Sequence, residues 1–178
     1  MPTVPDPSPP PVHPTGPTPW TRVQPWVSTL LRLVLGVVML WSGAVKVGDL
    51  AASVRAVRAY ELLPEVLAQV VGTALPVVEI VLGLLLLAGL LTRYAAIGVA
   101  LLMAVFVVGI ASAWARGLAI DCGCFGGGGA IEPDQTQYPL EIVRDLALLA
   151  AAVVLARWPR SRFSLDSSLG LVAPADDA

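Results

Sequence analysis

Four long apolar stretches constrain this chain more than anything else in it, over residues 27–47, 66–91, 94–115 and 139–156. Each is near the roughly 20 residues that a helix needs to cross a ~30 Å hydrocarbon layer. The fourth is interrupted in its first turns by Glu141, Arg144 and Asp145, and then runs uncharged through residues 146–156. Hydrophobic residues make up 56% of the chain, charged residues only 13%, and mean hydropathy is +0.77. That is about half the charge of a soluble domain. The expected fold class is all-α, an integral membrane four-helix bundle. A net charge of −2, with no basic patch, excludes nucleic acid as a partner.

The remaining segments divide the chain. Residues 1–24 hold most of the prolines and few aliphatic side chains, which predicts a disordered tail. The apolar segment after it is too long, and the leader too poor in basic residues, for a cleaved signal, so the tail reads as retained. Residues 25–158 form the membrane domain, and 159–178 a flexible C-terminal tail. Between the first two spans, residues 49–65 place apolar and charged side chains at helical spacing, which predicts a short amphipathic helix at the interface, ended by Pro64. Trp20, Trp26, Tyr94, Trp114, Tyr138 and Trp158 fall near span ends, as an aromatic belt requires. Gly36, Gly43, Gly83, Ala147 and Ala151 permit close helix contact, and Gly72 and Pro76 a kink in the second span. Arg22, Arg93, Arg157, Arg160 and Arg162 outnumber the basic residues of the opposite side. This places both termini in the cytoplasm of a bacterial cell and the loop before the fourth span outside it.

That loop contains both cysteines of the chain, in the run Ile120-Asp121-Cys122-Gly123-Cys124-Phe125-Gly126. A fully extended chain would hold their Cα atoms roughly 6.6–7.2 Å apart, near the upper limit for a disulfide, so a bend at Gly123 is needed to close one. Such a short ring is strained, and strained disulfides serve exchange better than stapling. Three readings compete: a redox pair, a metal site, and inert thiols. Structural zinc takes about four nitrogen or sulfur ligands, and the one histidine, His13, lies in the remote tail, so no metal site is expected. Inert cysteines are usually buried among apolar neighbours, whereas Asp121 and the run 126–129 read as a mobile, solvated loop. Redox chemistry is the favoured reading. Like-charge repulsion from Asp121 disfavours a Cys122 thiolate and points to Cys124 as nucleophile.

Ionisable groups at membrane depth are costly and usually meet partners inside the bundle. Lys46, Glu79, Arg144 and Asp145 are expected to converge beneath the cysteine loop, with Glu79 pairing to Arg144 and Lys46 to Asp145 or Glu141. Such a cluster either fixes helix register or relays protons during thiol exchange. Arg32 lies nearer the inner face and is expected to snorkel to lipid phosphates.

With these segments assembled, the chain resembles the DoxX-like membrane family, and within it the MauE branch, the methylamine utilisation protein. The resemblance spans roughly residues 25–157. It is carried by Leu40-Trp41-Ser42-Gly43-Ala44-Val45-Lys46, by Leu75-Pro76-Val77-Val78-Glu79 with Gly83, by Asp121-Cys122-Gly123-Cys124-Phe125-Gly126, and by Arg144-Asp145. It implies a four-helix membrane protein associated with redox maturation of a disulfide-bearing, extracytoplasmic client. Two functions follow as expectations. In the first, Cys122 and Cys124 exchange disulfides with a client thiol or disulfide protein, with a membrane quinone as one candidate electron acceptor. In the second, the bundle is a non-catalytic scaffold for a maturation complex. A transporter is less favoured, because no inverted repeat is evident.

Overall fold

Three helices of the computed structural model are long and apolar enough to cross a membrane, and together they make this a multi-pass membrane protein. The structure describes residues 19–161, 164–168 and 170. The helices are α1 (Pro19–Gly48), α2 (Leu50–Ala59), α3 (Glu65–Ala88), α4 (Thr92–Ala115) and α5 (Tyr138–Arg157). The three apolar ones are α1, over Val23–Gly48, α3 and α4. A hairpin of two short strands, β1 (Ile120–Asp121) and β2 (Gly129–Ala130), sits between α4 and α5, and one helical turn, Leu165–Ser168, closes the described chain.

Small residues set how closely the helices approach. A side chain at Gly83 would meet the Leu40 backbone nitrogen at 2.8 Å, and one at Gly43 would meet the Pro76 carbonyl oxygen at the same distance. These glycines therefore lock α1 antiparallel against α3, with position 36 facing 83 and 87, and position 43 facing 76 and 80. A core of Leu35, Met39, Leu86, Ala95, Ala96, Val99, Met103, Ala152 and Leu155 fills the interior. Val37, Trp41, Val70, Val81, Leu101, Val105 and Val108 point outward, as side chains bathed in lipid do.

Several expectations need correction. Residues 19–24, expected in the Pro-rich tail, belong to α1, and residues 1–18 lie outside the described residues. The short helix α2 ends at Ala59, and Pro64 instead caps the start of α3. Ala147 is exposed, and Ala152 takes the close-packed position on α5. Trp26, Tyr94, Trp114 and Trp158 are exposed, but Tyr138 is buried against the hairpin. Arg32 does not snorkel. It is buried beside Gly89 and Ser164, with Asp166 supplying electrostatic attraction. Asp166 also accepts the backbone N–H groups of Leu91 and Thr92 at 2.7 and 2.8 Å, an N-terminal cap for α4. The segment after α5 is thus tied to the bundle at 164–166, and residues 162, 163, 169 and 171–178 lie outside the described residues.

A close glycine contact makes a direct prediction. Gly83→Leu drives a side chain into the α1 backbone and should lower the detergent-melting temperature and folded yield, with an overpacking cost of about 1–3 kcal/mol. Gly48→Ala, which meets nothing within 4 Å, should leave both unchanged.

Candidate functional site

The cysteine run forms the tip of the β1–β2 hairpin, where Ile120 pairs with Ala130 and Asp121 with Gly129. Gly123 adopts φ +67°, a left-handed conformation that glycine reaches without strain, and this supplies the bend that the short spacing requires. A side chain at Gly123 would also strike Ala56, which α2 inserts above the tip. The loop is therefore packed rather than solvated, and Cys122 and Cys124 are only 8% and 4% exposed. Both are free thiols.

Backbone groups of the tip are held from several sides. Ser42 of α1 donates to the Cys124 carbonyl, and Tyr60, just after α2, donates to the Cys122 carbonyl at 3.2 Å. Burial pushes the Tyr60 hydroxyl above its ordinary value, so it stays a donor. Tyr138 of α5 accepts the Ile120 N–H at 3.0 Å and donates to the Leu118 carbonyl, clamping β1 to the start of α5.

Beneath the tip, all four ionisable residues singled out by the sequence converge, but in pairs other than those expected. Lys46 meets Glu79 at 2.5 Å, and the Ser42 hydroxyl oxygen lies 3.2 Å from the same carboxylate oxygen. Arg144 meets its neighbour Asp145 at 2.9 Å. The expected Glu79–Arg144 and Lys46–Asp145 or Lys46–Glu141 pairs are absent among the described residues, because Lys46 and Glu79 face each other directly across the α1–α3 seam. The Lys46 ammonium also lies 5.5 Å from the Phe106 ring centre.

The arginine has a second task. Its guanidinium carbon sits 4.6 Å from the Phe125 ring centre, and its Nη2 lies 3.5 Å from Cys122 Sγ. The Cys124 backbone N–H donates to the same sulfur at 3.3 Å. The Cys124 thiol contact, with these two donors in support, holds the Cys122 thiol below its ordinary value. Cys124 is pushed in the opposite direction, first by donating to Cys122 and then by burial, with the Asp145 carboxylate 4.0 Å from its sulfur adding to the rise. Asp121 pointed to Cys124 as nucleophile, whereas the nitrogen donors gather at the Cys122 sulfur. Asp121 accepts the Gly123 N–H on its Oδ1 at 3.1 Å, while Arg144 is the charged group in contact with the Cys122 sulfur.

A cavity of about 40 Å³ adjoins both cysteines, lined by Lys46, Ser53, Ala56, Val57, Tyr60, Leu75 and Phe106 together with residues 122–124. Ser42, Tyr60, Phe106, Phe125 and Tyr138 were not singled out as site residues in the sequence. Only Ser42 carried a signal, its position one helical turn before Lys46. Glu141, named there only as a partner for Lys46, instead joins Asp121 and Cys122, their ligand atoms all within 4.8 Å of one another.

Fold and site together define a multi-pass membrane protein with a buried dithiol hairpin resting on charged side chains. Residues 24–157 match the family described as "Methylamine utilisation protein MauE", and the chain belongs to that family. It is 33% identical over 135 residues to the methylamine utilization protein MauE of Paracoccus denitrificans, covering 75% of this chain and 70% of that protein. No solved structure matches it.

Two predictions follow from this geometry. Lys46→Met leaves the Glu79 carboxylate buried without its cation and should destabilise the protein by about 3–5 kcal/mol, read as lost folded yield, with yield recovering in Lys46→Met/Glu79→Leu. Because its donors favour the thiolate, Cys122 should alkylate with a pH midpoint below the ~8.5 of a free cysteine. Arg144→Gln should move that midpoint upward, as followed by site-resolved mass spectrometry.

Proposed function

We propose that this protein carries out thiol–disulfide exchange at an extracytoplasmic membrane face, assisting maturation of a disulfide-bearing client. The observation that carries this reading is the asymmetry of the two thiols: Cys122 receives Arg144 and a backbone N–H, while Cys124 faces a carboxylate. Exchange needs that division, with one sulfur poised as a thiolate and its partner protonated until the second step.

In the reducing direction, the Cys122 thiolate attacks one sulfur of a client disulfide. A Cys122–client mixed disulfide forms, and the client's other sulfur leaves and is protonated. Cys124 then loses its proton and attacks Cys122 Sγ, releasing the client's second sulfur and closing the 122–124 disulfide. Two electrons and two protons pass from the pair to the client. The reverse sequence oxidises a client dithiol, and a membrane quinone would re-oxidise the pair by taking up two electrons and two protons as quinol. Lys46, Glu79 and Ser42 support the hairpin from below.

We place α5 as a fourth span, α2 flat at the membrane interface, both termini in the cytoplasm and the hairpin outside, where disulfides persist. The basic residues flanking the helices support this orientation. Family membership supports methylamine utilisation as the setting, since that is what the Paracoccus relative is named for. Client access requires α2 to move aside, which breaks the Ser53 hydroxyl bond to the Gly72 carbonyl at 2.7 Å and the Arg58–Glu65 ion pair. Burial of both sulfurs favours a second reading, a non-catalytic anchor in which the hairpin only shapes a docking surface.

Trapping separates the two readings. In cells, Cys124→Ala should accumulate a mixed disulfide through Cys122, seen as a reductant-sensitive band on non-reducing gels, whereas Cys122→Ala should not. Clean monomeric bands from both variants, with client maturation intact, would establish the anchor.

A further inference from the structure

We propose that Glu141 is the proton-transfer residue of the dithiol, taking the proton from Cys122 and returning it to the sulfur that departs. The assignment rests on the exchange reading above. Glu141 lies in the first turn of α5, one turn before Arg144 and Asp145, so all three project from one side of the helix toward the hairpin. Its carboxylate lies beside the Cys122 sulfur and the Asp121 carboxylate, one atom of each within 4.8 Å of the others. Its Oε2 is buried and has no hydrogen-bond partner. The carboxyl thus stands next to Cys122 with a buried oxygen open to hold a proton.

The neighbouring carboxylates are committed elsewhere. Asp121 Oδ1 accepts from the Gly123 N–H, and Asp145 is bonded to Arg144 and lies beside Cys124. The groups facing Glu141 are Asp121 of β1, Cys122 of the hairpin tip, Arg144 of its own helix and, by electrostatic interaction, Tyr60 after α2. Asp121 and Arg144 bring opposite charges to bear on Glu141, and a carboxyl set between them is suited to shuttling a proton.

The proton balance is simple. In the first step the Cys122 S–H bond breaks and its proton moves to the Glu141 carboxylate. The thiolate forms a new S–S bond to the client while the client's S–S bond breaks. The departing sulfur leaves with the bonding pair and takes the proton back from Glu141. No outside oxidant enters, because the client disulfide accepts the electrons.

Leaving-group chemistry tests this against a merely structural role. Purified, reduced, full-length protein in detergent is reacted with oxidised glutathione, whose departing alkyl thiolate is basic and gains from protonation, and with 5,5′-dithiobis(2-nitrobenzoate), whose departing aryl thiolate needs none. At a pH above the Cys122 alkylation midpoint, where the thiol is already ionised and only the return of a proton is at stake, Glu141→Gln should slow the glutathione reaction by about 100-fold, the lower end of what a positioned acid–base group contributes, and leave the aryl disulfide rate within about twofold. Glu141→Asp, which keeps the carboxyl and guards against a folding defect, should give an intermediate loss confined to oxidised glutathione. Equal rates with both probes in Glu141→Gln, or a parallel fall in both, would overturn the assignment while leaving exchange in place. Wild-type protein inert to both disulfides would overturn the exchange reading, and the assignment with it.

Discussion

The buried pair of Lys46 and Glu79 is the interaction on which the site depends. Two charges withdrawn from water are tolerated only when they meet each other and further polar groups. Ser42 provides that continuation, lying one helical turn before Lys46, contacting the Glu79 carboxylate and donating to the Cys124 carbonyl. The helix seam and the cysteine hairpin are therefore joined by one short polar chain. Gly43 and Gly83 make it possible by letting α1 and α3 approach closely enough for the lysine to reach the glutamate.

A second polar arrangement comes from a different helix. Glu141, Arg144 and Asp145 occupy one face of α5 and meet the two sulfurs separately, Glu141 and Arg144 at Cys122 and Asp145 at Cys124. Two chemically identical thiols two residues apart are made unequal by what α5 presents to each. The Phe125 ring, 4.6 Å from the guanidinium carbon, helps hold that charge near sulfur. The covering helix α2 then removes both sulfurs from water, which strengthens each of these electrostatic contacts.

Much of the architecture was legible from hydropathy alone, since the spans read at 66–91 and 94–115 fall within a few residues of α3 and α4. Burying backbone in lipid leaves helices as almost the only choice, so composition and length suffice. The convergence of Lys46, Glu79, Arg144 and Asp145 was legible for the same reason, because charges at membrane depth have nowhere else to go. Their pairing was not. Which charge meets which depends on helix rotation about its axis, and a difference of one residue turns a side chain by about 100°. The packed hairpin was equally hidden, because a glycine-rich string looks solvated until a partner such as Ala56 fills the space its missing side chains leave.

The amino-acid order by itself determined a multi-pass helical membrane protein with one Cys-Gly-Cys loop and a small set of intramembrane charges, because those features are local and each follows from hydropathy or spacing. Only the tertiary structure decided that Lys46 belongs to Glu79, that Arg144 and Glu141 belong to Cys122, and that Asp145 lies beside Cys124. Thiol reactivity is set by charges and donors within a few ångströms of sulfur, and here those groups come from residues as far apart in the chain as 42 and 145.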